Sequence, residues 1–266
     1  MDRLGRNHGG YYGERIDLDA VLADCASSAA AHGWIGEPLP PSAPSRMAYR
    51  RTARTPGAPR WYLSAGMHGD EPAAPLAAAR LLRENDWPDA DLWLIPCLNP
   101  DGMRLGTRGN AQGVDLNRDY RNPQCAETLG HIEWLHLQPR FDLTLLLHED
   151  WESHGFYTYE ANPNGAPSLA PEIIAAAATV CPVDPSPVID GREISEPGIL
   201  RPVLTPEERP DWAEALWLIV NHARLNYTLE SPSDWPLAVR VEALTRAVRA
   251  ALRAFTRSAT PPATPG

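Results

Sequence analysis

The chain has no lysine: all 24 of its basic residues are arginine, against 34 acidic ones. With alanine and proline so abundant, codon bias in a GC-rich genome is the simplest account. The shortage of positive charge matters more. A formal net charge of −10 repels phosphate surfaces and argues against nucleic acid or an anionic membrane as partner. No Cys-x-x-Cys pair is present. Cys25, Cys97, Cys125 and Cys181 are too dispersed for a disulfide framework or a sulfur-rich metal site, so reduced, buried thiols are expected. No apolar run is long enough to cross a membrane, and Met1 to Asn7 lacks the apolar core of a signal peptide; the expectation is a cytoplasmic protein with no membrane partner. No internal repeat is visible.

What is present is a globular composition. The 266 residues are 43% hydrophobic, enough for one sizeable α/β domain with its own core. The expected organisation is a single catalytic domain over 1–257. Within it, 1–45 form an N-terminal arm and helix, with the arm itself Gly-rich over 1–13; a disordered tail over 258–266 follows. Apolar spacing predicts helices over 16–31, 73–82, 127–137, 171–181, 211–224 and 236–257. Buried strands are predicted at 61–64, 91–96, 141–147 and 225–230, and a partly exposed one at 155–160. Residues 48–52 read as an edge strand beside 61–64, 36–46 as a proline-rich loop, 97–124 as a long polar loop, and 182–210 as irregular. Such alternation favours a mainly parallel or mixed sheet between helices, with ligands bound outside the carboxyl ends of the strands.

The candidate chemistry falls at those ends. After the strand at 61–64 comes His68-Gly69-Asp70-Glu71, an imidazole and a carboxylate three apart that a loop can aim at one metal ion. Asn99-Pro100-Asp101-Gly102 reads as a tight turn closing the next strand. Arg108 to Arg118 is dense in guanidinium and amide groups. It is either a solvated loop or an anion-binding wall, for which arginine offers a forked set of donors. His148 ends the strand at 141–147 and is the candidate third ligand, with His154 its competitor. Glu230 ends the strand at 225–230. Glu149 and Asp150 are read as supporting or solvated groups, and His131, His136, His8, His32 and His222 show no partner pattern.

In this order the motifs resemble the zinc carboxypeptidase family over residues ~60–235. They are His68-Gly69-Asp70-Glu71, Asn99-Pro100-Asp101-Gly102, Gly113 to Arg118, His148 and the strand end Thr228-Leu229-Glu230. The resemblance implies an α/β fold with a mixed, roughly eight-stranded twisted sheet flanked by helices on both faces. It implies one zinc ion per chain on His68, Glu71 and His148, and Asp115 orienting the first histidine. It further implies that Asn117 and Arg118 grip the substrate's terminal carboxylate, Arg108 stabilises the oxyanion, and Glu230 is the general base toward a zinc-activated water. The implied activity is hydrolysis of the C-terminal amide bond of peptides. One departure stands out: no tyrosine lies between Tyr159 and Tyr227. The tyrosine that closes over the substrate in many relatives is therefore absent, or replaced by Tyr157 or Tyr159 from another direction.

Two other readings compete. An N-acyl-amino-acid amidohydrolase of the aspartoacylase and succinylglutamate desuccinylase kind would share the His-x-x-Glu and third histidine and take a small acyl-amino-acid substrate with a free carboxylate. A non-catalytic binding protein on the same fold would have no use for a base at Glu230.

Overall fold

The computed structural model describes residues 14–40, 46–194 and 196–259. The expected arm over 1–13 lies outside them, as does most of the expected tail. Ser258 and Ala259, which the tail was expected to include, instead complete the last turn of the final helix. Near its end that helix buries its own Leu252 and Ala254.

The chain runs through α1 (Leu18–Ala31), β1 (Ile35–Pro38), β2 (Met47–Arg51), β3 (Arg60–Ser64), α2 (Ala73–Glu84), β4 (Asp91–Ile95) and α3 (Pro100–Leu105). It continues through α4 (Ala126–His136), β5 (Leu143–Asp150), β6 (Tyr157–Ala161), α5 (Ala170–Ala177), β7 (Val188–Ile189), β8 (Arg192–Glu193), β9 (Ile199–Leu200), α6 (Glu214–Asn221), β10 (Asn226–Pro232) and α7 (Leu237–Ala259). Local chemistry sets several of these boundaries. The Asp17 carboxylate accepts the Ala20 N–H at 3.0 Å and starts α1. Asn85, in the left-handed region at φ 48°, ends α2.

Eight strands form one mixed sheet in the order β1-β2-β4-β3-β5-β10-β6-β9. β4, β3, β5 and β10 are parallel, and β2 and β6 flank them antiparallel. Alternation along the strands sends side chains to two separate cores. In β3, Trp61 and Leu63 join the layer of α2, α5 and α7, whereas Tyr62 joins the layer of α4 and α6. Both faces are thus covered, as a parallel sheet requires.

Three local expectations are corrected. The strand at 47–51 pairs with β4 and β1, not with the strand at 60–64. The α2 crossover places β4 parallel to β3, between it and β2. The proline-rich loop begins with β1, an edge strand that tolerates Pro38 because its outer side needs no donor. Asn99-Pro100-Asp101-Gly102 is the start of α3 and not an isolated turn. The Asn99 side chain accepts the Gly102 N–H at 3.0 Å, and Pro100 fills the first helical turn.

Two glycines let the loops behind β3 and β4 touch. A Cβ on Gly69 would lie 1.9 Å from the carbonyl carbon of Gly102, and one on Gly102 would lie 2.4 Å from the Gly109 oxygen. The Asn99 amide also donates to the Met67 carbonyl at 3.2 Å. The segment bearing His68 and Glu71 is therefore pressed against α3, outside the carboxyl ends of β3 and β4.

Candidate functional site

Parallel pairing decides which side chains meet. His148 on β5 is the direct register partner of Glu230 on β10, and Tyr157 on β6 pairs with Glu230 from the other side. Residues two apart share a face, so Leu146, His148 and Asp150 line up beside Asn226, Thr228 and Glu230. Beside them run Tyr157, Tyr159 and Ala161. All nine line one cleft of about 600 Å³, together with His68, Glu71, Arg108, Asn117 and Arg118. Seven of the eight site residues expected from sequence thus share this cleft, and the eighth, Asp115, sits directly behind His68.

His68, Glu71 and His148 are each 3% exposed. The Glu71 carboxylate lies between the two imidazoles, 2.5 Å from His68 Nδ1 and 3.0 Å from His148 Nδ1. Donor atoms of the three residues fall within 4.8 Å of one another, in the arrangement a metal ion needs. The donor set, two neutral-capable imidazoles and a carboxylate, suits zinc. The far nitrogen of His68, Nε2, faces Asp115 Oδ1 at 3.2 Å, which fixes the ring so that Nδ1 points at Glu71. His154 lines the cleft but is not part of this group. Burial works against charge on His68. The Glu71 charge and the bonds to Asp115 and Glu71 outweigh it and raise its pKa to about 9. Burial would likewise raise the Glu71 pKa, but the two imidazoles hold it well below the usual carboxylate range.

Asp115 does more than orient His68. Its Oδ1 also accepts the Asn117 N–H at 2.9 Å, and its Oδ2 accepts Arg108 Nε at 2.9 Å. Arg108 Nη1 lies 3.9 Å from Glu71 Oε1, so its guanidinium stands beside the His68-Glu71-His148 cluster. Asn117 and Arg118 sit in a short 3₁₀ turn, Leu116–Arg118, that Asp115 caps. The Asn117 side-chain oxygen accepts the backbone N–H of Glu214 at 2.9 Å. With that oxygen committed, the Asn117 amide has N–H donors left for an anion. The Arg118 side chain is half exposed, donating to the Asn117 carbonyl at 2.8 Å.

Glu230 is partly buried at the cleft wall, and burial pushes its pKa up to about 8. His148 and Arg108 oppose that shift, while the Glu71 and Asp150 charges add to it. Tyr157 donates to Asp150 at 2.9 Å and Tyr159 to Asp190 at 3.0 Å. Both phenols therefore approach the cleft from β6. Arg192 lines the cleft mouth and is paired with Asp190, whereas Arg201 turns away to Glu160 and Glu196.

Two further groups carry structure here: Glu149, which the sequence reading left as a supporting or solvated group, and a buried polar chain that it did not anticipate. Glu149, beside His148, is fully buried and forms an ion pair with the equally buried Arg240 of α7. Its other oxygen takes the Ala73 N–H at 2.5 Å, locking the start of α2. The second is a buried chain from Tyr120 through His131 and Tyr62 to Glu214. The sequence offers little signal for the second, because a helix histidine and a helix-start glutamate are usually solvated.

Burial raises the Glu214 pKa from 4.5 to about 7 against the bonds from Tyr62 and Ser64. Below about pH 4.5 the carboxyl is protonated in the folded and unfolded chain alike. Between 4.5 and 7 the unfolded chain loses a proton that the folded one keeps, so stability falls as pH rises through this window. Relative to Glu214→Gln, the wild type should therefore lose stability from pH 4.5 to 7, by an amount on the order of 1 kcal/mol per pKa unit. Denaturant unfolding in the presence of a chelator measures the difference, and a pH-independent offset would contradict the assignment.

Comparison with known proteins bears on the fold and on part of the chain. Residues 57–179 match the Succinylglutamate desuccinylase/Aspartoacylase catalytic domain family. Murein peptide amidase A of Escherichia coli (strain K12) is 35% identical over 82 residues, which are 31% of this chain and 34% of that protein. The match thus spans about a third of the curated relative. A candidate metallopeptidase from Shewanella amazonensis SB2B superposes with a TM-score of 0.77 at 22% identity, covering 90% of this chain and 93% of that one. A metallo-carboxypeptidase from Pseudomonas aeruginosa, solved with (2-guanidinoethylmercapto)succinic acid, gives a TM-score of 0.68 at 20% identity, over 93% and 71%. The resemblance drawn from the motifs is borne out: the chain has a zinc carboxypeptidase-like fold whose residues 57–179 carry the signature of the succinylglutamate desuccinylase/aspartoacylase catalytic domain.

Proposed function

We propose that the protein is a zinc-dependent metallocarboxypeptidase that removes the C-terminal residue of peptides. The observation that carries this reading is the meeting, in one cleft, of the His68-Glu71-His148 cluster, the carboxyl of Glu230 and the donors of Asn117 and Arg118. His68, Glu71 and His148 would hold the zinc, which would supply Lewis acidity toward a water, whose pKa such an ion typically lowers toward about 7, and toward the scissile carbonyl. Asp115 holds His68 in the tautomer that presents Nδ1. Glu230 takes the proton of the attacking water and delivers it to the leaving amine as the C–N bond breaks. Arg108 faces the charge that develops on the carbonyl oxygen, an interaction whose loss costs roughly 2.7–4 kcal/mol in comparable sites. Arg118 and the Asn117 amide hold the terminal carboxylate, a planar anion that matches a guanidinium.

The match of residues 57–179 to the succinylglutamate desuccinylase/aspartoacylase domain favours a second reading, hydrolysis of an N-acyl amino acid by the same groups. The name of the Escherichia coli relative, murein peptide amidase A, makes cell-wall peptides a third substrate class within the first reading. A panel of free peptides, murein peptides and N-acyl amino acids separates them.

Three outcomes are expected. Purified protein should hold about one zinc per chain; His148→Ala should release it on dialysis while His154→Ala retains it, and full zinc occupancy in His148→Ala would remove that ligand. Glu230→Gln should keep zinc and substrate binding but lose roughly 10²–10⁴-fold in kcat, so near wild-type turnover would discard the base. C-terminally amidated peptides should be cleaved at least ~100-fold more slowly than free acids, about 2.7 kcal/mol in the transition state. Arg118→Ala should flatten that ratio, and equal rates in the wild type would rule out the carboxypeptidase reading.

A further inference from the structure

Glu214, the first residue of α6, is 0% exposed, and the chemistry described so far leaves its carboxylate unused. Tyr62 donates to its Oε1 at 2.8 Å and Ser64 to its Oε2 at 3.0 Å. Both donors stand on β3, the strand that leads into His68. The Tyr62 hydroxyl has one proton, which goes to Glu214, so its contact with His131 Nε2 at 3.0 Å requires that nitrogen to carry the hydrogen. His131 Nδ1 must then accept, and Tyr120 donates to it at 2.6 Å. Burial, with the nearby Arg46 charge, lowers the His131 pKa far below its ordinary value and keeps the ring neutral, as this single direction demands.

The chain returns to its starting point. At one end, the Glu214 backbone N–H holds the Asn117 side-chain oxygen at 2.9 Å. At the other, Tyr120 lies three residues beyond Asn117 and is held again by its N–H on the Trp212 carbonyl at 3.2 Å. Residues 117–120 are therefore gripped at both ends by one buried network, and its only carboxylate is Glu214. Its side chain leaves α6 to reach β3.

We propose that Glu214 is a positioning residue for the proposed carboxylate clamp: it fastens the start of α6 to β3 so that the Glu214 N–H fixes the Asn117 amide with its donors toward the cleft. The inference rests on reading Asn117 and Arg118 as that clamp. It assigns Glu214 a role in selecting substrates with a free carboxylate, and none in proton transfer or metal ligation.

The test compares free-acid and amidated forms of one peptide with zinc-loaded wild type, Glu214→Leu, Glu214→Gln and Ser64→Ala, with zinc content measured alongside. Glu214→Leu should keep its zinc and raise KM for the free acid at least ~10-fold, leaving kcat/KM for the amide within ~3-fold of wild type. Glu214→Gln, which keeps length and one acceptor oxygen, should restore free-acid selectivity to within ~3-fold. Ser64→Ala removes one tether from β3 and should shift KM for the free acid in the same direction by a smaller factor, so the proposal remains testable if Glu214→Leu does not fold. Wild-type selectivity in both Glu214→Leu and Ser64→Ala would overturn it. Equal losses on both substrates, or loss of zinc, would also overturn it, because a purely structural role behaves that way. No selectivity in the wild type would instead overturn the clamp reading itself, and this proposal with it.

Discussion

The two oxygens of Asp115 hold the site together. One takes His68 Nε2 and the Asn117 N–H, and the other takes Arg108 Nε. Burial would raise its pKa, but the bond from His68 and the charges of His68, Arg108 and Arg118 keep it well below the usual carboxylate range. It is therefore an anion throughout the working pH range, and hydrogen bonds to such groups contribute roughly 1.5–3 kcal/mol each. The candidate metal-binding His68, the arginine proposed to face the oxyanion and the proposed carboxylate clamp share one acceptor. None of the three can move far without loosening the other two.

That carboxylate can organise the site only because the sheet delivers the remaining groups to the same edge. Parallel strands joined by helices end together, and the order β4-β3-β5-β10 sets the loop after β3 beside the ends of β5 and β10. His148 and Glu230 meet because they are register partners. A slip of one residue would turn both side chains into the opposite core. Beneath them the buried Arg240–Glu149 pair ties β5 to α7, and the Glu149 bond to Ala73 ties it to α2. Removing one partner of such a pair typically costs 3–5 kcal/mol, so the strand end carrying His148 is anchored from behind.

Legibility in the sequence followed the locality of the signal. β3, β4, β5 and β10 are apolar runs bounded by turn chemistry, and they were readable together with the residues at their ends. His68, Glu71, His148 and Glu230 occupy such ends, which is why a one-dimensional reading found them. β1 and the pairing of β2 were misread because partner choice depends on where α2 sends the chain. The start of α3 was taken for a turn because Asn-Pro-Asp-Gly suits both, and only the Asn99 bond to Gly102 decides. Glu214, His131 and Arg240 were invisible for a different reason. Each is polar, sits on a helix, and has a buried partner at least 60 residues away in sequence, Tyr62 for His131 and Glu214 and Glu149 for Arg240.

The missing tyrosine shows how such a site can differ from its relatives and still be complete. No tyrosine lies between Tyr159 and Tyr227, the stretch from which many relatives swing a phenol over the substrate. Here the phenols beside Glu230 come from β6, and each is already bonded, Tyr157 to Asp150 and Tyr159 to Asp190. A strand residue with its hydroxyl held cannot sweep into the cleft as a loop residue can. Its contribution has to be made in place, by shaping the wall and excluding water around Glu230. Groups fixed before substrate arrives need no reorganisation during the reaction, and electrostatic stabilisation is strongest under that condition. The bonds that Asp115 and the β6 phenols already make hold those groups in place before a substrate is present.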